Sequence, residues 1–206
     1  MYSINIFELY NESQILKRII ATIIIIFFTN SYGQDVLPYN YSKSKILSSF
    51  EQKQISKFFK KDDKKFISVI FLSADCPISK KYINKLKRFY RAYEEKVSFY
   101  IYLSKNSSDY EKSVFSKEYS LDFKLSIDKK NKLAKFLGAT VTPEVFLINR
   151  LNGKILYQGA IDNWFYSLGK KRKIITSNYF ENAVNASLNN EIVVMPYAQP
   201  VGCYIE

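Results

Sequence analysis

The run "KFISVIFLS", residues 65–73, constrains this chain more than any other stretch. It is almost unbroken apolar, β-branched and aromatic sequence. Such a run predicts a strand buried on both faces, at the centre of a sheet. Directly after it comes "SADCPISKKY", residues 73–82. Pro77 suits a first helical position, where its missing N–H costs nothing. Ile78, Tyr82, Leu86, Phe89 and Tyr93 then recur at spacings of four, four, three and four, which makes one apolar helical stripe. Lys80, Lys81, Lys85, Lys87, Arg88 and Arg91 fill the other sides of that helix.

The rest of the chain alternates in the same way. "VSFYIYLS", 97–104, predicts a second strand, and the next helix starts at Ser108 or Asp109. A short strand at 123–128 precedes a short helix stopped by Gly138. Strands at 144–149 and 154–161 are joined through Asn152-Gly153, a hairpin signal, and a last helix begins near Ser177. Residues 34–64 form a polar, Lys-rich lead-in with one helical piece around Ile46–Phe59. The order β-α-β-α-β-α-β-β-α predicts an α/β domain over 65–206, a parallel core made mixed by the closing hairpin, with helices on its faces. Asp162 and Asn163 read as a turn, and Trp164 beside them reads as packed on the last helix or placed on the site's side of the fold.

The chain has 206 residues and no histidine, which excludes Ser-His-Asp and Cys-His catalysis and His-based metal sites. With only two cysteines, the reading assigns no metal and no cofactor. The net charge is +12, but the lysines are scattered over helix faces rather than gathered in a stripe. Nucleic acid is therefore not expected as a partner. "GKKRK", 169–173, reads as a solvated loop.

Residues 1–33 read as a signal peptide. Lys17 and Arg18 precede Ile19–Phe28, apolar except for Thr22, and Ser31 and Gly33 sit three and one residues before a cut at Gln34. The apolar run is shorter than the roughly 20 residues a spanning helix needs. An uncleaved N-terminal anchor is the other reading, and it is the only membrane contact expected. Export to the periplasm, the cell envelope or the medium would place the chain where disulfides persist.

Cys76 lies at the head of the main helix, where free N–H groups and the positive dipole end favour a thiolate. Lys80 and Lys81 add positive charge, whereas a carboxylate at Asp75 or Glu144 close to the sulfur would oppose it. On the residues alone three readings stand: a working thiol lacking its usual neighbour, a thiol whose partner lies elsewhere, or an inert buried residue. Two cysteines in an oxidising compartment hint that Cys76 and Cys203 meet.

Four segments carry a resemblance: "FLSADCPISKKY", "GATVTPEVFLI", "LYQGAIDN" with "LGKKR", and "VGCYI". Together they resemble the thioredoxin-like superfamily, in its exported redoxin branch of the alkyl hydroperoxide reductase / thiol-specific antioxidant type. The resemblance implies a thioredoxin-like fold, with a mixed central sheet flanked by helices. It implies Cys76 as the reactive thiol, supported at the helix start by Pro77 and Ser79. It implies a cis Pro143 whose neighbour Thr142 offers its backbone to a substrate chain, and a thiol- or disulfide-bearing protein as partner. Cys203, on a loose tail, is then a resolving partner for Cys76, a fixed staple or an unpaired thiol. Two departures matter. Ser79 stands where dithiol enzymes carry a second cysteine, and Val69 stands where peroxiredoxins carry proline. The reading is an exported thiol–disulfide oxidoreductase. The alternatives are a thiol-dependent peroxidase and a non-catalytic binding module with a structural disulfide.

Overall fold

The computed structural model describes residues 47–104 and 108–205. The expected signal segment, 1–33, lies outside them. The elements are α1 (Ser49–Phe58), β1 (Phe66–Leu72), α2 (Pro77–Tyr93), β2 (Val97–Leu103), α3 (Asp109–Glu118) and β3 (Leu125–Ile127). A 3-10 turn (Lys129–Asn131) leads into α4 (Lys132–Leu137), β4 (Val141–Thr142), β5 (Glu144–Asn149) and β6 (Lys154–Gly159). The chain continues through β7 (Phe165–Ser167), β8 (Lys170–Lys171), α5 (Tyr179–Leu188), β9 (Tyr197–Ala198) and β10 (Cys203–Tyr204).

Six strands form the main sheet in the order β3-β2-β1-β5-β6-β9. β1 pairs with β2 in parallel and with β5 in antiparallel, and all seven of its residues are buried. That double pairing explains its continuous apolar sequence: both faces and both edges are covered. Alternate side chains divide between two cores. Phe66, Ile70 and Leu72 pack with α2 and α5 on one face, through Leu86, Phe89, Phe180 and Val184. Ile67, Val69 and Phe71 pack with α1 and α4 on the other, through Ile55, Ala134 and Leu137. Burying each such side chain stabilises the fold by about 1.5–3 kcal/mol.

Local chemistry sets the helix ends. Ser48 with Glu51, and Ser108 with Glu111, each form a reciprocal capping box. α4 ends at Gly138, as its sequence predicts. Asn152 accepts the Lys154 N–H at the β5–β6 turn.

The tail departs from expectation. It is not loose: β9 joins β6 as the sixth strand of the sheet, and β10 pairs with β4. Strand edges left open would expose unpaired backbone groups, and the tail closes two of them. "GKKRK" is exposed, but it belongs to the β7–β8 hairpin, with Lys171 over the Trp164 ring and Arg172 over the Tyr166 ring. Among the described residues no helix is long and apolar enough to cross a membrane.

Candidate active site

Cys76 is the N-cap residue of α2, held where β1 ends: its N–H donates to the Ser73 carbonyl at 3.2 Å. It is only 1% exposed. Its thiol donates to the Thr142 carbonyl at 3.1 Å, and the Thr142-Pro143 peptide is cis. β10 lies antiparallel to β4 with Cys203 opposite Thr142, so Cys203 Sγ comes within 2.7 Å of Cys76 Sγ. Both cysteines are thiols in this structure. Cys76, Cys203, Thr142 and Pro143 are thus brought together from three separate stretches of chain.

Ser79 is fully buried one turn into α2. Its hydroxyl accepts the Ser73 N–H at 3.2 Å, which ties the end of β1 to the helix start. Pro77 occupies the first helical position and is exposed.

The two thiols are electrostatically unequal. Burial pushes the Cys76 thiol up, but the hydrogen bond from Cys203 and the Ser79 N–H and hydroxyl at the helix start outweigh it, and Cys76 ends below the ordinary thiol value. Ser79 acts by proximity here, since Cys76 makes no full side-chain cap bond. Cys203 moves the other way. Burial, the hydrogen bond to Cys76 and the negative charge on Cys76 push it up to about 12. Cys76 is therefore the group that ionises first.

Replacing Cys203 tests this coupling. In Cys203→Ser a hydroxyl donor remains beside Cys76, and in Cys203→Ala none does. The Cys76 titration midpoint, followed by the ultraviolet absorbance of the thiolate, is expected to lie higher in Cys203→Ala. Equal midpoints would remove the Cys203 hydrogen bond from the account.

The expected charges do not act as the sequence suggests. Lys80 and Lys81 are exposed, and the donors at the sulfur are Cys203 and Ser79. Glu144 does not oppose the thiolate from nearby. On β5 it alternates with Val145, so it points to the sheet face away from α2. There its carboxylate accepts the Thr140 N–H at 2.8 Å and the Gln158 side-chain amide at 3.2 Å. It holds the turn before β4, and burial pushes its carboxyl up.

Comparison with known proteins identifies the family and the fold. The Redoxin family matches residues 42–163, more than half of the chain. The chain belongs to the redoxin family. A hypothetical protein from Sinorhizobium meliloti 1021 is similar over 74% of this chain and 82% of its own, at 23% identity and a TM-score of 0.61. An uncharacterized conserved protein from Geobacillus kaustophilus is similar over 69% and 77%, at 22% identity and a TM-score of 0.59. No curated protein matches the chain. The redoxin match and the mixed sheet flanked by helices make the fold thioredoxin-like, as the resemblance implied.

This redoxin also buries a polar cluster that sequence reasoning missed. Asp162 is 1% exposed and accepts from Tyr82 Oη and Lys85 Nζ at 2.5 Å each, and from the Trp164 N–H at 2.8 Å. Trp164 then stacks edge-on against Tyr82 of α2. Lys85, expected on the outer face of α2, turns inward to pair with Asp162 and to donate to Asn178. Tyr82 is pushed far up by its burial and its bond to Asp162, so it stays a neutral donor. The cluster clamps the β6–β7 loop to the helix that presents Cys76. Removing one partner of a buried pair leaves an uncompensated charge. Lys85→Met is expected to cost near the lower end of about 3–5 kcal/mol, because Lys85 is partly exposed. Urea unfolding measures it, and an unchanged midpoint would contradict the clamp.

The one sequence signal for the clamp was an Asp directly after a strand run. Among the described residues no group of three or more metal-binding side chains is gathered.

Proposed function

We propose that this redoxin is an exported thiol–disulfide oxidoreductase in which Cys76 attacks and Cys203 resolves. The observation that carries the reading is the meeting of two thiols 127 residues apart, one lowered and one raised in acidity, at a helix start. Export is supported by the signal-like segment that ends before Gln34.

The Cys76 thiolate attacks one sulfur of a substrate disulfide. A Cys76–substrate bond forms, the substrate S–S bond breaks, and the departing thiolate takes a proton from water. Cys76 then carries no charge, so one cause of the raised Cys203 acidity constant vanishes. Cys203 loses its proton to water more readily at that stage and attacks Cys76 Sγ. The Cys76–Cys203 bond forms, the mixed disulfide breaks, and the substrate leaves as a dithiol. The protein has given up two electrons, and an external dithiol donor restores it. Ser79 cannot take the resolving role, since a hydroxyl does not form a disulfide.

A second reading is a fixed clasp. It is favoured by the pairing of β10 with β4 and by the burial of Cys76. A peroxidase is separated by its oxidant. With dithiothreitol as donor, the protein is expected to accelerate reduction of a protein disulfide and not of hydrogen peroxide. The reverse preference would replace the oxidoreductase reading with the peroxidase one.

A further inference from the structure

We infer that the C-terminal tail occupies this protein's own polypeptide-binding groove, and that the groove selects extended chains with glycine directly before the reacting cysteine. The inference rests on the reading of Cys76 as the attacking thiol.

β4 pairs with β10 in a two-stranded sheet of its own, apart from the main sheet. Cys203 lies opposite Thr142 and Tyr204 opposite Val141. The Ile205 N–H donates to the Thr140 carbonyl at 3.0 Å, and the Thr142 hydroxyl reaches the Cys203 carbonyl at 3.4 Å. On the tail's side both contacts use main-chain atoms alone, which any extended chain can offer. In such strand addition the backbone supplies affinity and the alternate side chains supply selectivity.

The side-chain positions are unequal. The Cys203 sulfur meets Cys76, and Tyr204 points to solvent at 79% exposure. Ile205 packs against the second core. Gly202 is buried, and a Cβ built there would stand 2.0 Å from the Thr142 carbonyl oxygen. That oxygen is backbone, on the strand being paired, so it cannot yield without opening the pairing. A chain in this register therefore needs glycine before its cysteine. An apolar residue two places after the cysteine would take the position of Ile205.

Because Cys76 is 1% exposed with the tail docked, substrate and tail alternate on β4. The substrate strand enters as the tail leaves, the mixed disulfide forms, and the tail returns to resolve it. A tethered tail competes at an effective concentration on the order of millimolar, so weakly matched chains are kept out.

The test uses the full chain carrying Gly202→Ala and Cys203→Ser, which loosens the tail and removes the second thiol. Two synthetic peptides are supplied as activated disulfides: the sequence of residues 199–205, and the same peptide with alanine before its cysteine. Oxidised glutathione reports on Cys76 itself. The glycine peptide is expected to form a mixed disulfide with Cys76 about tenfold faster or more, while both peptides react alike with free glutathione. Cys203→Ser alone is expected to keep the same preference at lower absolute rates, which covers any misfolding of the double variant. Equal rates for the two peptides, with Cys76 reactive toward oxidised glutathione, would overturn the groove and leave the attacking thiol standing. A Cys76 inert to all three disulfides would overturn both.

Discussion

Replacing Cys76 by serine is expected to lower protein disulfide exchange by on the order of a thousandfold or more. The serine hydroxyl can keep the hydrogen bond to the Thr142 carbonyl, so the helix start is expected to stay in place. What disappears is the proposed nucleophile. A hydroxyl next to the same donors does not ionise near neutral pH, and it cannot form a disulfide. Cys203 is no substitute, because it sits on the tail and does not meet the helix N-terminus as Cys76 does. Cys203→Ser is expected to fail differently. The first attack survives and the mixed disulfide accumulates, giving one attack per protein and no completed turnover. Exchange rates with a protein disulfide, with unfolding curves to establish that each variant is folded, measure both. A Cys76→Ser protein with undiminished exchange would remove Cys76 from the chemistry.

Gly159→Ala is expected to be the most damaging change to a single small residue outside the site. Gly159 ends β6 at φ +128°, a conformation essentially reserved for glycine, and a Cβ there would lie 1.8 Å from the Ala198 carbonyl oxygen. Exchanging glycine for alanine where the backbone permits it stabilises by about 0.4–1 kcal/mol through the unfolded chain. Backbone strain of about 1–3 kcal/mol and the clash with β9 outweigh that gain. We expect a net loss of about 3 kcal/mol, read from urea unfolding. The effect should reach the site, because β9 anchors the tail that carries Cys203. Cys76 is then expected to become more reactive toward an alkylating agent. A destabilised protein with unaltered Cys76 reactivity would show that β9 does not position the tail.

Much of this architecture is legible in the chain. The apolar run of β1, the stripe of α2 and the turn at Asn152-Gly153 each carry their own period or turn chemistry, and local pattern is enough to place them. The tail is different. β9 and β10 are two residues each, too short for any periodic signal, and they form only because distant edges need partners. The Asp162 cluster hid for a related reason. Lys85 has the sequence position of a surface lysine, and only the return of the β6–β7 loop gives it a buried partner. Glu144 looked like a neighbour of Cys76, yet strand alternation sends it to the other face. Gly202 was visible as part of a motif, but its reason is a carbonyl 60 residues away at Thr142.

The most direct test of the account is a redox titration of the full chain. Cys76 and Cys203 would be alkylated across a series of thiol redox buffers and their state mapped by peptide mass spectrometry. The two are expected to form a disulfide that opens and closes in the native protein within the range of biological poise. A bond that opens only on unfolding would make the tail a permanent clasp, and thiols that never pair would end the resolving role of Cys203.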